Sequence, residues 1–327
     1  LIQDNSNGYT ALRAVAGLLD RSHLGRILLT GADRRSYLQG LLTNDVEALT
    51  AGTGCYAALL NARGRMISDM RVLELGDAVL LDVPAALAEP VRAHLDRFVF
   101  SEDVQVRDVT AERAEVGLYG PAAATIASRV LHPTIDLSSL PIYGSVVVRH
   151  GDHDVLVVRS DEPGVAGFDF IVDAAAASSL AEALRGAGAV DVTREAADVV
   201  RVEAGRPRFG EDMDEETIPL EAGIEDRAIS RTKGCYVGQE VIVRVLDRGQ
   251  GRVARHLVGL VLTSAVERGA AITAGDRDIG RITSVAHSPA LDRWIALGYV
   301  HRDQASEGTP VMVGGTPASV RRLPFVE

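Results

Sequence analysis

Two periodicities alternate along this chain. From Tyr56 onward, YAALLN, MISDMRVLEL and AVLLDV read as three consecutive strands separated by the turns ARGR and GD. Ahead of them, residues 28–46 open on a short apolar run and a turn at Gly31, Ala32 and Asp33. RRSYLQGLLTNDV then predicts a short amphipathic helix with Tyr37, Leu38, Leu41 and Leu42 inward. PAALAEPVRAHLDRFV follows as a helix and DVQVRDVT as a strand. A similar order recurs in the middle of the chain. PAAATIASRVL predicts a helix, SVVVRH and HDVLVVRS two strands about a GD turn, FDFIVD a strand, and AAASSLAEALRGAG a helix with a glycine stop. TREAADVVRVEAGRPRF predicts a helix capped by Thr193, and the acidic, proline-bearing stretch 210–226 a structured loop. Beyond Leu246 the helical period ends, and HLVGLVLT, AAIT, RITSVAH, WIALGYV, PVMVG and ASVRRL lie close together between Gly, Asp and Pro turns. The expected class is α+β: two α+β domains over residues 1–115 and 116–245, then a C-terminal antiparallel β-barrel over 246–327.

Composition narrows the field of functions. A chain of 327 residues with 46% hydrophobic and 24% charged positions is ordinary globular material, which excludes a disordered chain or a small disulfide-stapled scaffold. Its net charge of −11 argues against a general nucleic-acid or anionic-membrane binder. No apolar run approaches the roughly 18 residues that span a bilayer, and no cationic leader opens the sequence, so a cytoplasmic, soluble protein without a membrane partner is expected. Cys55 and Cys235 lie far apart and outside any CxxC pair. A structural zinc site, a disulfide framework or a permanently held iron–sulfur cluster is not expected from them, and a reducing compartment is.

Charge is unevenly distributed. Between Arg227 and His256 the basic residues Arg227, Arg231, Lys233, Arg244, Arg248, Arg252 and Arg255 face only Glu240 and Asp247. The segment reads either as a solvated face answering the acidic run before it or as a basic mouth for an anionic ligand. Lys233 is the only lysine in the chain. A lone lysine among arginines marks a position that requires a compact ammonium rather than a planar guanidinium fork.

Several motifs carry chemistry, each beside a plain structural reading. Gly52, Gly54 and Ala57, with Glu74 downstream, satisfy a loose dinucleotide pattern, but a strand rather than a helix follows the glycines, so the pattern is rejected. Cys235, with Lys233 and Arg231 close by in sequence, reads either as a small buried cysteine or as a thiolate in a positive field. Arg201 and Glu203 stand two apart near a helix end, so a mutual salt bridge is not the default. Each reads as a surface charge, or Glu203 points into a cleft and accepts a paired hydrogen bond from a guanidine-like heterocycle edge.

Taken together, LLTNDV (41–46), YAALLNARGRMISDMRV (56–72), RVEAGRPRFGEDMDEETIPLEAG (201–223) and KGCYVGQEVIVRV (233–245) resemble the YgfZ-type folate-binding proteins, relatives of the glycine-cleavage T-protein. K-G-C-Y-x-G-Q-E is the hallmark of that branch. The resemblance implies two ferredoxin-like-related α+β domains and a barrel in a ring, with tetrahydrofolate in a central cavity. It further implies a role in assembling or repairing iron–sulfur proteins, with those proteins or their assembly machinery as partners. On it, Glu203 matches the carboxylate that holds the pterin edge, with Asn61 near it, and Asp69 the acid that T-proteins use in one-carbon transfer. Ser68 departs from the paired acids of T-proteins. Tyr56, Phe209 and Tyr236 serve as possible aromatic walls, Arg201 and Arg244 as folate-side cations, and Cys235 and Lys233 as the functional pair beside the folate. Two alternatives stand beside this expectation. One is a T-protein-like aminomethyltransferase with Asp69 as general base. The other is a non-catalytic scaffold that docks an acidic partner or RNA through the basic segment.

Overall fold

The computed structural model describes residues 2–248 and 252–326. In chain order, α1 (Ile2–Ala14), β1 (Gly17–Asp20), β2 (Leu24–Thr30), α2 (Arg34–Gln39), β3 (Thr53–Leu60), β4 (Met66–Glu74) and β5 (Ala78–Pro84) come first. They are followed by α3 (Ala88–Asp96), β6 (Gln105–Asp108), β7 (Arg113–Tyr119), α4 (Ala123–Leu131), β8 (Ser145–His150), β9 (His153–Ser160) and β10 (Gly167–Asp173). Then come α5 (Ala177–Gly186), β11 (Val190–Val192), α6 (Arg194–Glu203), α7 (Glu225–Ala228) and α8 (Gln239–Val243). The last strands are β12 (Arg255–Leu262), β13 (Ala271–Ala274), β14 (Arg277–Ser288), β15 (Arg293–His301), β16 (Pro310–Val313) and β17 (Thr316–Arg321).

The first sheet is antiparallel with strand order β3-β4-β5-β2-β6. Ala88, Val91 and Leu95, at helical spacing, turn one stripe of α3 onto it, and Tyr37, Leu38, Leu41 and Leu42 of the α2 region complete that core. The second sheet has order β11-β1-β7-β10-β9-β8, and there Ile126, Ala127 and Leu131 of α4 join Leu180 and Leu184 of α5 in a second core. β12-β15-β14-β13-β16-β17 close into a barrel around Val258, Leu260, Ile272, Ile282 and Val300. Two sheet units and a closed antiparallel barrel are thus present. The faces of the two sheets turned away from their helices meet through Tyr56, Leu60, Leu73, Leu80, Val158 and Ile171, with Phe209 of the loop after α6 in the same core. α6 joins the second sheet to the barrel, its Val202 packing with Ala286, Ile295, Leu297 and Phe325.

Thr193 caps α6 as its sequence predicts, accepting a hydrogen bond from the Ala196 N–H at 3.1 Å. The division at residue 115 sits differently. β1 runs parallel to β11 and antiparallel to β7, so Gly17–Asp20 belongs to the second sheet, and residue 115 falls inside β7. The reason is local: Leu18 and Leu19 are both buried, so β1 needs neighbours on each side and covers on each face. Residues 249–251 and 327 of the expected barrel span lie outside the described residues.

Candidate active site

Between the two sheets and α6 lies a cavity of about 390 Å³. Its chemistry follows from strand alternation. Along β4, Met70 and Val72 enter the helix-side core, while Asp69 and Arg71 emerge on the face toward the second sheet. β3 pairs Tyr56 with Arg71 and Ala58 with Asp69, so the Tyr56 hydroxyl reaches diagonally and donates to Asp69 Oδ2 at 2.7 Å. The second sheet contributes Leu19 and, just beyond β1, Arg21 and His23; the turn after β9 contributes Glu162. Arg194 and Arg201 of α6, with Arg208 and Phe209, complete the lining.

A buried ionic cluster fixes the spacing of the two sheets beside this cavity. Arg71 donates to Asp82 and Asp169, and to Glu115 at 2.7 Å; Tyr119 donates to Asp169, and Arg21 approaches Asp169 at 3.4 Å. Arg71 and Asp82 face each other across the β4–β5 pair, whereas Glu115 and Asp169 belong to the second sheet. Burial raises the Glu115 carboxyl above the ordinary range even beside Arg71, with Asp82 and Asp169 crowding the same guanidinium.

The titrating groups around the cavity are sharply differentiated. Burial raises Asp69 to about 6, against the opposing hydrogen bond from Tyr56. Burial, then Arg21, Arg208 and Arg194, drive His23 down to about 3, so its imidazole is neutral at physiological pH. Burial would raise Glu162, but Arg227 and Arg71 more than offset it and hold the group below the ordinary carboxylate range. One side of the cavity therefore carries a fixed anion, and another a carboxyl poised to exchange a proton.

The residues singled out in sequence divide into two groups. Asp69, Tyr56, Phe209 and Arg201 come together on the cavity wall. Arg201 is 2% exposed and bonds Asp198 at 2.6 Å, Asp212 at 2.6 Å and Ser284 of the barrel at 2.9 Å, so its guanidinium is a cross-tie at the edge of the site. Glu203 lies elsewhere. Fully buried at the end of α6, its carboxylate accepts from Tyr9 at 3.0 Å, from Arg13, and from Ser288 at 2.5 Å, joining α1, α6 and the barrel. Asn61 closes the β3–β4 turn, its Oδ1 accepting from the Arg63 N–H at 2.9 Å and the Arg65 N–H at 3.2 Å. Tyr236 is buried in the core shared with Tyr56 and Phe209. Arg244 is exposed and pairs with Glu240 at 2.9 Å.

Lys233 and Cys235 stand two apart in sequence but differ in setting. The Lys233 ammonium donates to the carbonyls of Gln39 at 2.6 Å, Leu42 at 2.5 Å and Asn44 at 3.0 Å, closing the C-terminal end of α2. Three acceptors around one nitrogen demand an ammonium, the physical reason for a lone lysine here. Burial draws this ammonium down to about 8. Cys235 stays exposed on the same loop, whereas burial pushes the Cys55 thiol up to about 12. Among the described side chains the basic segment does not gather into a mouth: Arg227 bonds Glu162 at 2.8 Å, Arg231 Asp226 at 3.4 Å, and Arg255 Glu221 at 2.9 Å. Arginines from elsewhere line the cavity: Arg21, Arg71 and Arg201, and also Arg194 and Arg208, which pair with Glu211 at 2.8 and 3.0 Å. Sequence reading passed over Arg194, Arg208, His23 and Glu162, and Glu162 had no signal of its own because DEPG reads as a plain turn.

Two α+β sheets, a closed barrel and a carboxyl-bearing cavity at the inter-sheet seam define the class of protein. Residues 4–233 match the GCVT N-terminal domain and residues 255–327 the glycine cleavage T-protein C-terminal barrel domain. The chain belongs to the glycine cleavage T-protein family. It is 34% identical over 321 residues to the aminomethyltransferase of Rubrobacter xylanophilus, covering 97% of this chain and 84% of that one. Against the Thermus thermophilus aminomethyltransferase the identity is 32%, with 97% and 89% covered. The crystal structure of glycine cleavage system aminomethyltransferase T from Bartonella henselae superposes with a TM-score of 0.89 at 28% identity, covering 99% of this chain and 90% of that one.

Proposed function

We propose that this protein is a tetrahydrofolate-dependent aminomethyltransferase of the T-protein kind. The observation that carries the proposal is Asp69, a carboxyl lifted to about 6 and held by Tyr56 on the wall of a cavity of about 390 Å³.

The residues at the cavity fit a reduced folate. A donor-rich pterin edge calls for a carboxylate, and Glu162 supplies one whose bonds from Tyr143 and Arg227 both fall on Oε1, leaving Oε2 for a ligand. Leu19, Leu87 and Phe209 offer an apolar berth for the ring system, and Arg194 and Arg208, each also paired with Glu211, offer charge for the anionic glutamate tail. When bound, tetrahydrofolate supplies the nitrogens that receive the one-carbon unit. Asp69, aimed by the Tyr56 hydroxyl, would be the group that accepts a proton beside such a nitrogen. Neutral His23 adds no cation to compete for the same nitrogen.

The test is formation of methylenetetrahydrofolate from an aminomethyl-lipoylated carrier. The unmutated protein should turn over, and Asp69→Asn should lose about 10²–10⁴-fold in rate while still binding folate. An inactive wild-type protein that binds tetrahydrofolate normally would overturn the transferase reading.

One observation favours a second reading, support of iron–sulfur proteins: the K-G-C-Y-x-G-Q-E loop presents an exposed Cys235 thiol on a segment pinned by Lys233. Unchanged iron–sulfur enzyme activity in cells whose only copy carries Cys235→Ala would remove it.

A further inference from the structure

Arg227 comes from the basic segment yet lies half-buried, its guanidinium 4.8 Å over the ring of Tyr56. The same group donates to the Tyr143 hydroxyl and to Glu162 Oε1, each at 2.8 Å, while Tyr143 donates to Glu162 at 2.7 Å. Tyr56 in turn donates to Asp69 at 2.7 Å. The backbones are tied as well, because Asn44 Nδ2 donates to the Tyr56 carbonyl at 2.9 Å and to the Arg227 carbonyl at 3.0 Å. Tyr143 holds φ at 62°, a conformation unfavourable to a bulky side chain and retained only where surrounding bonds enforce it.

We infer that Arg227 is a positioning residue for Asp69: it presses Tyr56 against the carboxyl and cancels the Glu162 charge that would otherwise face it. Around Asp69 stand Tyr56 from β3, Glu162 from the turn after β9, Arg227 from α7 and Arg71 on its own strand, with Arg21 and His23 across the cavity. Among these Glu162 disfavours the ionised carboxyl and Arg227 favours it. The two act as one unit because they are bonded to each other. The transferase reading enters only in what Asp69 does; how Asp69 ionises is independent of it.

The experiment is a carbon-13 titration of aspartate carboxyls in the ligand-free protein, with the Asp69 signal identified by its loss in Asp69→Asn. Arg227→Gln should move the Asp69 midpoint up by about one pH unit, since it removes a favourable cation and uncovers Glu162. Glu162→Gln should move it down, because Arg227 is then uncompensated. Arg227→Lys should return part of the first shift by restoring the charge without the stacked fork. Opposite signs separate a specific electrostatic role from general loosening, which would move both variants alike. An unmoved midpoint in Arg227→Gln, or a rise in Glu162→Gln, overturns the inference; if Arg227→Gln fails to fold, Glu162→Gln alone decides it by its sign. Tetrahydrofolate calorimetry on the unmutated protein separates the two claims. Shifts as expected without folate binding would support Arg227 while removing the folate reading.

Discussion

Glu203→Ala distinguishes two roles for one carboxylate. At 0% exposure, Glu203 accepts from Tyr9, Arg13 and Ser288, and its backbone carbonyl receives the N–H of Phe325 at 2.8 Å. Truncation leaves the Arg13 guanidinium and the Ser288 hydroxyl facing an apolar gap at the junction of α1, α6 and the barrel. Breaking a buried ion pair on one side costs about 3–5 kcal/mol. The Arg13 side chain is 23% exposed and can recruit water, which places the expected loss near the lower figure, about 3 kcal/mol. With urea slopes of about 1–3 kcal/mol/M, the unfolding midpoint should fall by about 1–3 M. The chain's single tryptophan, Trp294, lies on barrel strand β15 and reports that transition by fluorescence. Tetrahydrofolate titration of the same variant under native conditions should give an affinity within about twofold of wild type, because Glu203 is off the cavity wall. An unchanged midpoint together with lost folate binding would refute this assignment and return Glu203 to the ligand.

Three other expectations follow from the same geometry. Lys233→Met removes three hydrogen bonds from an ammonium and should cost about 2 kcal/mol, and Lys233→Arg should recover less than half of it; full recovery in urea unfolding would refute the requirement for a single-nitrogen donor. Gly238 has φ of 83° and would place a new Cβ 2.5 Å from the Asn61 carbonyl oxygen, so Gly238→Ala should destabilise by about 1–3 kcal/mol in urea unfolding, and a neutral result would contradict the packing of α8 on the β3–β4 turn. For Asp69 the sign runs in two directions. As a base it must be ionised, so kcat/KM should rise about tenfold per unit below pH 6 and level above it. As a folded-state carboxyl raised above its unfolded value near 4, it contributes a loss of stability as pH climbs from about 4 through 6, and Asp69→Asn should flatten the rate profile and remove that share of the fall in the melting profile.

What the sequence made legible was whatever depends on neighbours in the chain. The alternating pattern of β4, the Thr193 cap and the closely turned strands of the barrel are short-range properties, and each appears where the pattern places it. Glu203 was not legible in this way. Its partners Tyr9 and Arg13 lie 194 and 190 residues away, and a carboxylate bonded to them has the same local sequence as one facing a ligand. β1 is four residues long and joins β11 from the far end of the sheet unit, so nothing within its own window marks it as part of the second sheet. Lys233 falls between these cases. Its singularity was readable, but its three carbonyl partners come from the α2 region, and only folding brings them to one point.

The placement of Asp69 and Arg71 explains how one strand face both holds the architecture and carries chemistry. The two residues are two apart on β4, so alternation sends them to the same side. Arg71 meets Asp82 across its own sheet and Glu115 and Asp169 across the seam, an ionic tie whose loss on one side would leave three carboxylates crowded together. That tie sets the distance between the sheets and with it the width of the cavity. One step along the face, Asp69 lies past the end of the tie, bonded by Tyr56 and bordered by open volume rather than by a matched cation. Moving the pattern by one residue would put both side chains into the helix-side core, whereas exchanging them would leave Asp69 among Asp82, Glu115 and Asp169 with no guanidinium between. The order of these two residues, and not merely their presence, lets a buried carboxyl titrate near neutrality beside a charge cluster that must remain paired.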